Sequence, residues 1–232
     1  MSLSVAQQTI PQQANISNQP KALRVVAEII SYIMHPVFFP VVMAFVIYKL
    51  TPTAFIAVPD RQVSMWILII GFLCIFFPLF SIVLMKPLGF IGSFKMETAR
   101  ERTIPLMATM IFYFWVSHAF NSMVTVRPFI DPPFAFKVLL LGNFWGIILI
   151  FLANIFTKVS MHTATAGGMI GIIIVLMIVS PVNLVIPLFV AIMIAGIVGT
   201  ARMILGAHQR GDIWLGYIIG IIVQLGAYLY TR

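Results

Sequence analysis

Apolar residues run along this chain in seven long blocks, at about 28–50, 62–86, 104–123, 136–156, 164–181, 183–205 and 213–230. The blocks are continuous rather than alternating. They therefore predict helices and exclude a closed barrel, whose strands alternate apolar with polar positions. Most approach the ~20 apolar residues a helix needs to cross the hydrocarbon layer. Glu28, His35, Pro36 and Pro40 interrupt the first block. A break is expected there, with its early part along the membrane interface and a span only from about residue 34. The fifth and sixth blocks meet across Pro181-Val182-Asn183, which predicts a tight helical hairpin. Residues 1–22 are rich in Gln, Asn, Ser and Pro and lack the basic-then-apolar order of a signal peptide. They are expected to be a disordered polar tail, leaving 23–232 as one membrane-embedded domain. The fold class expected is all-α, a polytopic membrane bundle of six to seven transmembrane helices.

Composition agrees with that pattern. Of 232 residues, 61% are hydrophobic and 9% charged, against roughly 25% charged in a soluble domain. The mean hydropathy is +1.08. Gly and Pro, at 15 and 14 residues, are numerous, as helical membrane proteins tolerate. The net charge of +8 comes from bases scattered through loops, not from a basic stripe. Anionic lipid headgroups are the partner this implies, not nucleic acid. The single cysteine, Cys74, lies inside an apolar block, so no intrachain disulfide and no cysteine-rich metal site can form.

If all seven blocks cross, the loops after the second, fourth and sixth share one face. These are 86–103, 157–163 and 206–212, and they hold nearly every polar group with chemical potential. The last carries Arg202, then five residues, His208, then three residues and Asp212. Four residues apart on a helix, His208 and Asp212 would share a face. The carboxylate could then accept from one imidazole nitrogen and leave the other as a nucleophile. Arg202 offers a planar fork for phosphate oxygens. The middle loop reads Lys158-Val-Ser160-Met-His162, a hydroxyl beside a helix N-terminus with a candidate acid–base histidine. The first loop places Lys95 and Arg102 seven residues apart, on one side of a helix after two turns. Each group also has a plainer reading. The first loop is then a solvated charge cluster, Ser160 an N-cap, and the last loop polar capping between spans. His118, inside the third block, and His35-Pro36 are weaker candidates, for helix-to-helix bonding and for a substrate entrance. The tryptophans read as interfacial anchors and packing. Gly167-Gly168 and Gly196-x2-Gly199 read as points of close helix approach.

Taken together, Lys95-x6-Arg102, Ser160-x-His162 and Arg202-x5-His208-x3-Asp212 resemble, in order, the three motifs of the type 2 phosphatidic acid phosphatase superfamily. The resemblance covers about 86–216. It departs at Thr103-Ile104-Pro105, where the family has an immediate Pro, and at Val159, Met161 and Ala201, where it has Pro, Gly and Ser. The resemblance implies a core like that family's and an integral membrane phosphatase. His208 would form a phosphohistidine and Asp212 would orient it. His162 would protonate the leaving group and then activate water. Lys95, Arg102, Ser160 and Arg202 would bind phosphoryl oxygens. No cofactor and no catalytic metal are expected, because Asp60 and Asp131 fall on the opposite face and three organic cations can stabilise the charge. The expected substrate is a membrane lipid: phosphatidic acid, phosphatidylglycerophosphate or a polyprenyl diphosphate. The expected setting is a bacterial inner membrane with the active site on the outer, periplasmic side. Two other readings stand beside this one: a lipid phosphotransferase, and a non-catalytic transporter or anionic-lipid-binding protein that uses the same bases.

Overall fold

The computed structural model describes residues 19–90, 99–122 and 130–232; of 99–102 it describes the backbone alone. Among the described residues all regular structure is helical. Seven helical stretches are long and apolar enough to cross a membrane: Lys21–Leu50, Asp60–Met85, Thr103–Ser122, Phe134–Phe156, Met161–Val179, Val185–Ile204 and Arg210–Thr231. The protein is an all-helical integral membrane protein. Of the expected tail, residues 1–18 lie outside the described residues, and helix begins already at Lys21.

The first stretch is broken where His35-Pro36 predicts. Helix α1 (Lys21–Ile33) stops at Met34, and His35 is extended, as the residue before proline must be. Its Nδ1 accepts from Val37 N at 3.3 Å and so caps a 3₁₀ turn, Pro36–Phe38, that leads into α2 (Phe39–Leu50). Helices α1 and α2 have 13 and 12 residues. At 1.5 Å per residue each is about 18–20 Å long, short of the ~30 Å hydrocarbon layer. Helix α1 packs along the sixth stretch and buries Ala27 there.

The second stretch is α3 (Asp60–Gly71) and α4 (Phe77–Met85), joined by a π-turn over Phe72–Phe76. Pro78 is the reason. It has no N–H for the Cys74 carbonyl, so the ladder widens by one residue and Phe77 N–H reaches back to Phe72 O. Next come α5 (Ala99–Ser122), α6 (Phe134–Phe156), α7 (Met161–Val179), α8 (Val185–Ile204) and α9 (Arg210–Thr231). The hairpin between α7 and α8 turns at Pro181-Val182-Asn183, with Asn183 Oδ1 accepting from Val185 N at 3.1 Å.

The most extensive helix contact is α7 against α9. Glycines make it possible. A Cβ at Gly220 would run into the Ala164 carbonyl oxygen, and one at Gly216 would meet Thr163 Oγ1 and, at 2.8 Å, Ser160 O. A Cβ at Gly167 would strike the Tyr217 backbone. Of the two glycines expected to bring α8 close, only Gly199 has a neighbour, the Tyr217 hydroxyl; nothing lies within 4 Å of a Cβ at Gly196.

A larger core joins Trp66 of α3, Phe120 of α5, Phe136 and Leu140 of α6 and Leu176 of α7. A smaller one, Leu106, Ile150, Val159, Ala164, Ile219 and Val223, lies beneath the 157–162 loop. At the other end, Tyr48 donates to Asp60 at 2.7 Å and Lys137 pairs with Asp131 at 2.7 Å. Trp66 is wholly buried, whereas Trp115 and Trp214 are exposed.

Candidate active site

Two of the three polar loops are stitched together. The α8 helix ends where Gly206 takes φ +60°, a left-handed conformation that favours glycine, and its N–H returns to Met203 O. The chain then passes through His208 and re-enters helix at Arg210. Three bonds tie this bend to the α6–α7 loop. His208 Nδ1 lies 2.9 Å from Lys158 O, Thr157 Oγ1 donates to Asp212 Oδ1 at 2.9 Å, and Ser160 N donates to Asp212 O at 3.4 Å.

A carbonyl can only accept, so Nδ1 of His208 carries a hydrogen, and in the neutral ring the lone pair is then on Nε2. The imidazole is 7% exposed. This is the tautomer a nucleophilic histidine needs, but a different group selects it. Asp212 was expected to orient His208. Its oxygens instead accept from Thr157 and from Gln209 N at 3.0 Å, which makes it half of a capping box on α9. The reason is local geometry. A spacing of four places two residues on one face only within a helix, and His208 lies before the helix begins.

Ser160 lies on the same loop. It is wholly buried and forms the N-cap of α7, its Oγ accepting from Thr163 N at 3.4 Å and its carbonyl from Thr163 Oγ1 at 3.1 Å. These bonds are those of an N-cap.

His162 begins the first turn of α7 and meets α1. Its Nε2 is 3.1 Å from Ser31 O, so this nitrogen carries hydrogen and Nδ1 the lone pair. Arg202, in the last turn of α8, donates from Nη1 to Ser31 Oγ at 3.1 Å. Ser31 thus touches both residues from one helix turn. The His35 ring stands edge-on to that of His162, centroids 5.6 Å apart. Arg202, His35 and His208 all lie near enough to act on the charge of His162.

Lys95 lies outside the described residues, and so does the side chain of Arg102, whose backbone is in the first turn of α5. His118 does not join the site. It stacks on Phe114 at 5.6 Å and meets Ser122 Oγ at 3.4 Å, both on its own helix.

Beside His162 is a cavity of about 200 Å³, lined by α4, α5, α6, α7 and α9 and by the turn at His35. Its lining is mostly apolar, with Asn143 and Gln224 among the exceptions. Sequence reasoning missed Ser31, Thr157, the Lys158 carbonyl and this amide pair. Backbone carbonyls leave no sequence signal. Gln224 does, as the single amide of the last apolar block.

Comparison of the chain with protein-family models, with curated proteins and with solved structures finds no match.

Proposed function

We propose that this protein is an integral membrane phosphatase of lipid phosphates or polyprenyl diphosphates, acting on the outer membrane face, with the motif order of the type 2 phosphatidic acid phosphatase superfamily. The observation that carries the reading is His208, held by the Lys158 carbonyl in the tautomer whose Nε2 has the lone pair, on the loop that also bonds to the His162 segment. A transporter or a passive anion site needs cations but has no use for an oriented neutral imidazole.

The proposal assigns these roles. His208 Nε2 attacks phosphorus, a P–N bond forms, and the P–O bond to the leaving oxygen breaks. With substrate bound, His162 takes up a proton from solvent at Nδ1 and gives it to that oxygen while Nε2–H stays on Ser31 O. The neutral Nδ1 then takes a proton from water, whose oxygen attacks phosphorus and releases His208. Arg202, with Lys95 and Arg102, neutralises the equatorial oxygens, which is the main demand of phosphoryl transfer. Asp212 and Ser160 hold the loops in place.

The test is phosphate release from diacylglycerol phosphate and from a polyprenyl diphosphate, with excess chelator present throughout. Release is expected, together with an acid-labile, base-stable phosphoenzyme that His208→Ala lacks. Release that needs an added divalent ion would overturn the metal-free reading. Transfer of the phosphate to a second lipid would mark a phosphotransferase. Tight binding of the probes without turnover would mark a non-catalytic lipid-binding protein.

A further inference from the structure

Deep in the cavity, Gln224 of α9 and Asn143 of α6 form one hydrogen bond, Nε2 to Oδ1, at 3.1 Å. Gln224 is 1% exposed. Its Oε1 has no partner, and neither has Asn143 Nδ2; both residues line the cavity. Turning both amides end for end exchanges the names and leaves the same remainder, one donor and one acceptor. Burying such groups unpaired in an apolar interior is costly, and polar side chains inside a membrane are functional suspects for that reason. The position is built. A Cβ at Gly142 would come 2.5 Å from Gln224 Oε1, and one at Gly171 would come 3.0 Å from Gln224 Cβ, while Gln224 Nε2 lies level with Gly168. Small residues on two neighbouring helices therefore make room for the amide.

Depth is fixed by α7. Gly168 is six residues beyond His162, about 9 Å along the helix axis. The walls between are mostly apolar, among them Leu106, Ile147, Ile150 and Val223, and the Thr109 and Thr165 hydroxyls donate to carbonyls of their own helices. The complement of the unpaired donor and acceptor is one group that both accepts and donates. A hydroxyl does this and so does a secondary amide. An ester carbonyl accepts from Asn143 alone and leaves Gln224 Oε1 unmet. We infer that the cavity is a binding site for a chain lipid that carries a hydroxyl or a secondary amide below its head, read by Asn143 and Gln224. The two groups that read the lipid, Asn143 and Gln224, have no part in the chemistry proposed for His208 and His162.

Four probes of equal chain length test it on the full chain in detergent: a long-chain alcohol, an N-alkyl amide, the matching ester and the alkane. None contains phosphate, so the outcome is separate from that of the phosphatase assay. Binding is read by native mass spectrometry and by the shift in melting temperature. The alcohol or the amide should bind about tenfold tighter than the ester, the worth of one further satisfied hydrogen bond. Which of the two binds tighter identifies the group. In Gln224→Met and in Asn143→Leu the preference should vanish while the alkane binds as before. Should either variant fail to fold, the four-probe series on the unaltered protein still decides. Equal affinity for all four, a preference that survives both substitutions, or no binding by any probe, as for a pair satisfied by water alone, would overturn the assignment.

Discussion

The α7–α9 pair and the α3–α4 arm are both apolar and of membrane length, yet they are packed on opposite plans. Of the most apolar eighteen residues of Met161–Val179, 56% are buried; in Asp60–Met85 the figure is 17%. The difference is not hydrophobicity, since the arm has the higher mean hydropathy, 2.9 against 2.0. It lies in side-chain size. Gly167, Gly216 and Gly220 let two backbones touch, while Phe72, Phe76 and Phe80 hold the arm's outer face open to lipid. Lipid is as apolar as leucine, so close packing rather than hydrophobic burial decides which helices pair. His162 lies in the first turn of α7, and the loop that carries His208 leads into α9, so both sit at the ends of that tight pair.

The largest effect should therefore come from the loop joined to the tight pair. His208→Ala is expected to cut phosphate release by about 10³-fold or more, about 4 kcal/mol in the barrier. The melting temperature should hardly move. The matched control is His118→Ala, on the outer face of α5, which should leave turnover within about twofold. Equal losses from both would end the distinction between a working and a bystander histidine.

Next in size is the packing itself. Gly220→Val drives a side chain into the α7 backbone at Ala164 and Gly168, which cannot yield as a flexible side chain could. A loss of about 3 kcal/mol is expected, or failure to recover monodisperse protein. Thermal unfolding in detergent measures it. A variant as stable as the parent would mean that α7 and α9 can separate freely, and the site could not then depend on their contact.

How far this was legible in the sequence follows from the same contrast. The seven apolar blocks, the break at His35-Pro36 and the hairpin at Pro181-Val182-Asn183 could be read because periodicity and proline act locally. Gly167 could be suspected as a contact, but only the packing separates Gly199, against Tyr217, from Gly196, which faces open space. At the site, spacing brought the 157–162 and 206–212 loops under suspicion. It misassigned their internal bonds, because spacing presumes a helix through His208 and the chain bends there at Gly206. Ser31 was invisible, since what it offers His162 is a backbone carbonyl 131 residues away in sequence.

Asp212 gives a smaller and sharper test. As a cap and a tie to Thr157, its carboxylate should matter to stability more than to chemistry. Asp212→Ala is expected to cost about 1–2 kcal/mol of stability and less than about tenfold in turnover. A 10³-fold loss of turnover in a protein of unchanged stability would restore Asp212 as the orienter of His208. It would also imply that the Lys158 carbonyl gives way to it when substrate binds.

The smallest effect should come from Gly196. It lies in α8, three residues from Gly199 and six before Arg202, so by position it belongs with the site. By surroundings it belongs with the lipid-facing arm, because a Cβ there meets nothing within 4 Å. A glycine that secures no close approach only adds conformational freedom to the unfolded chain. Gly196→Ala is therefore expected to be neutral or to stabilise by up to ~1 kcal/mol, with turnover unchanged. Measured beside Gly220→Val, it separates two explanations of the first comparison. If the whole site-bearing half is intolerant, both substitutions destabilise. If intolerance follows the face that a residue presents, they differ in sign or by several-fold, and the boundary between protein-facing and lipid-facing surface runs lengthwise along α8 rather than between segments of the chain.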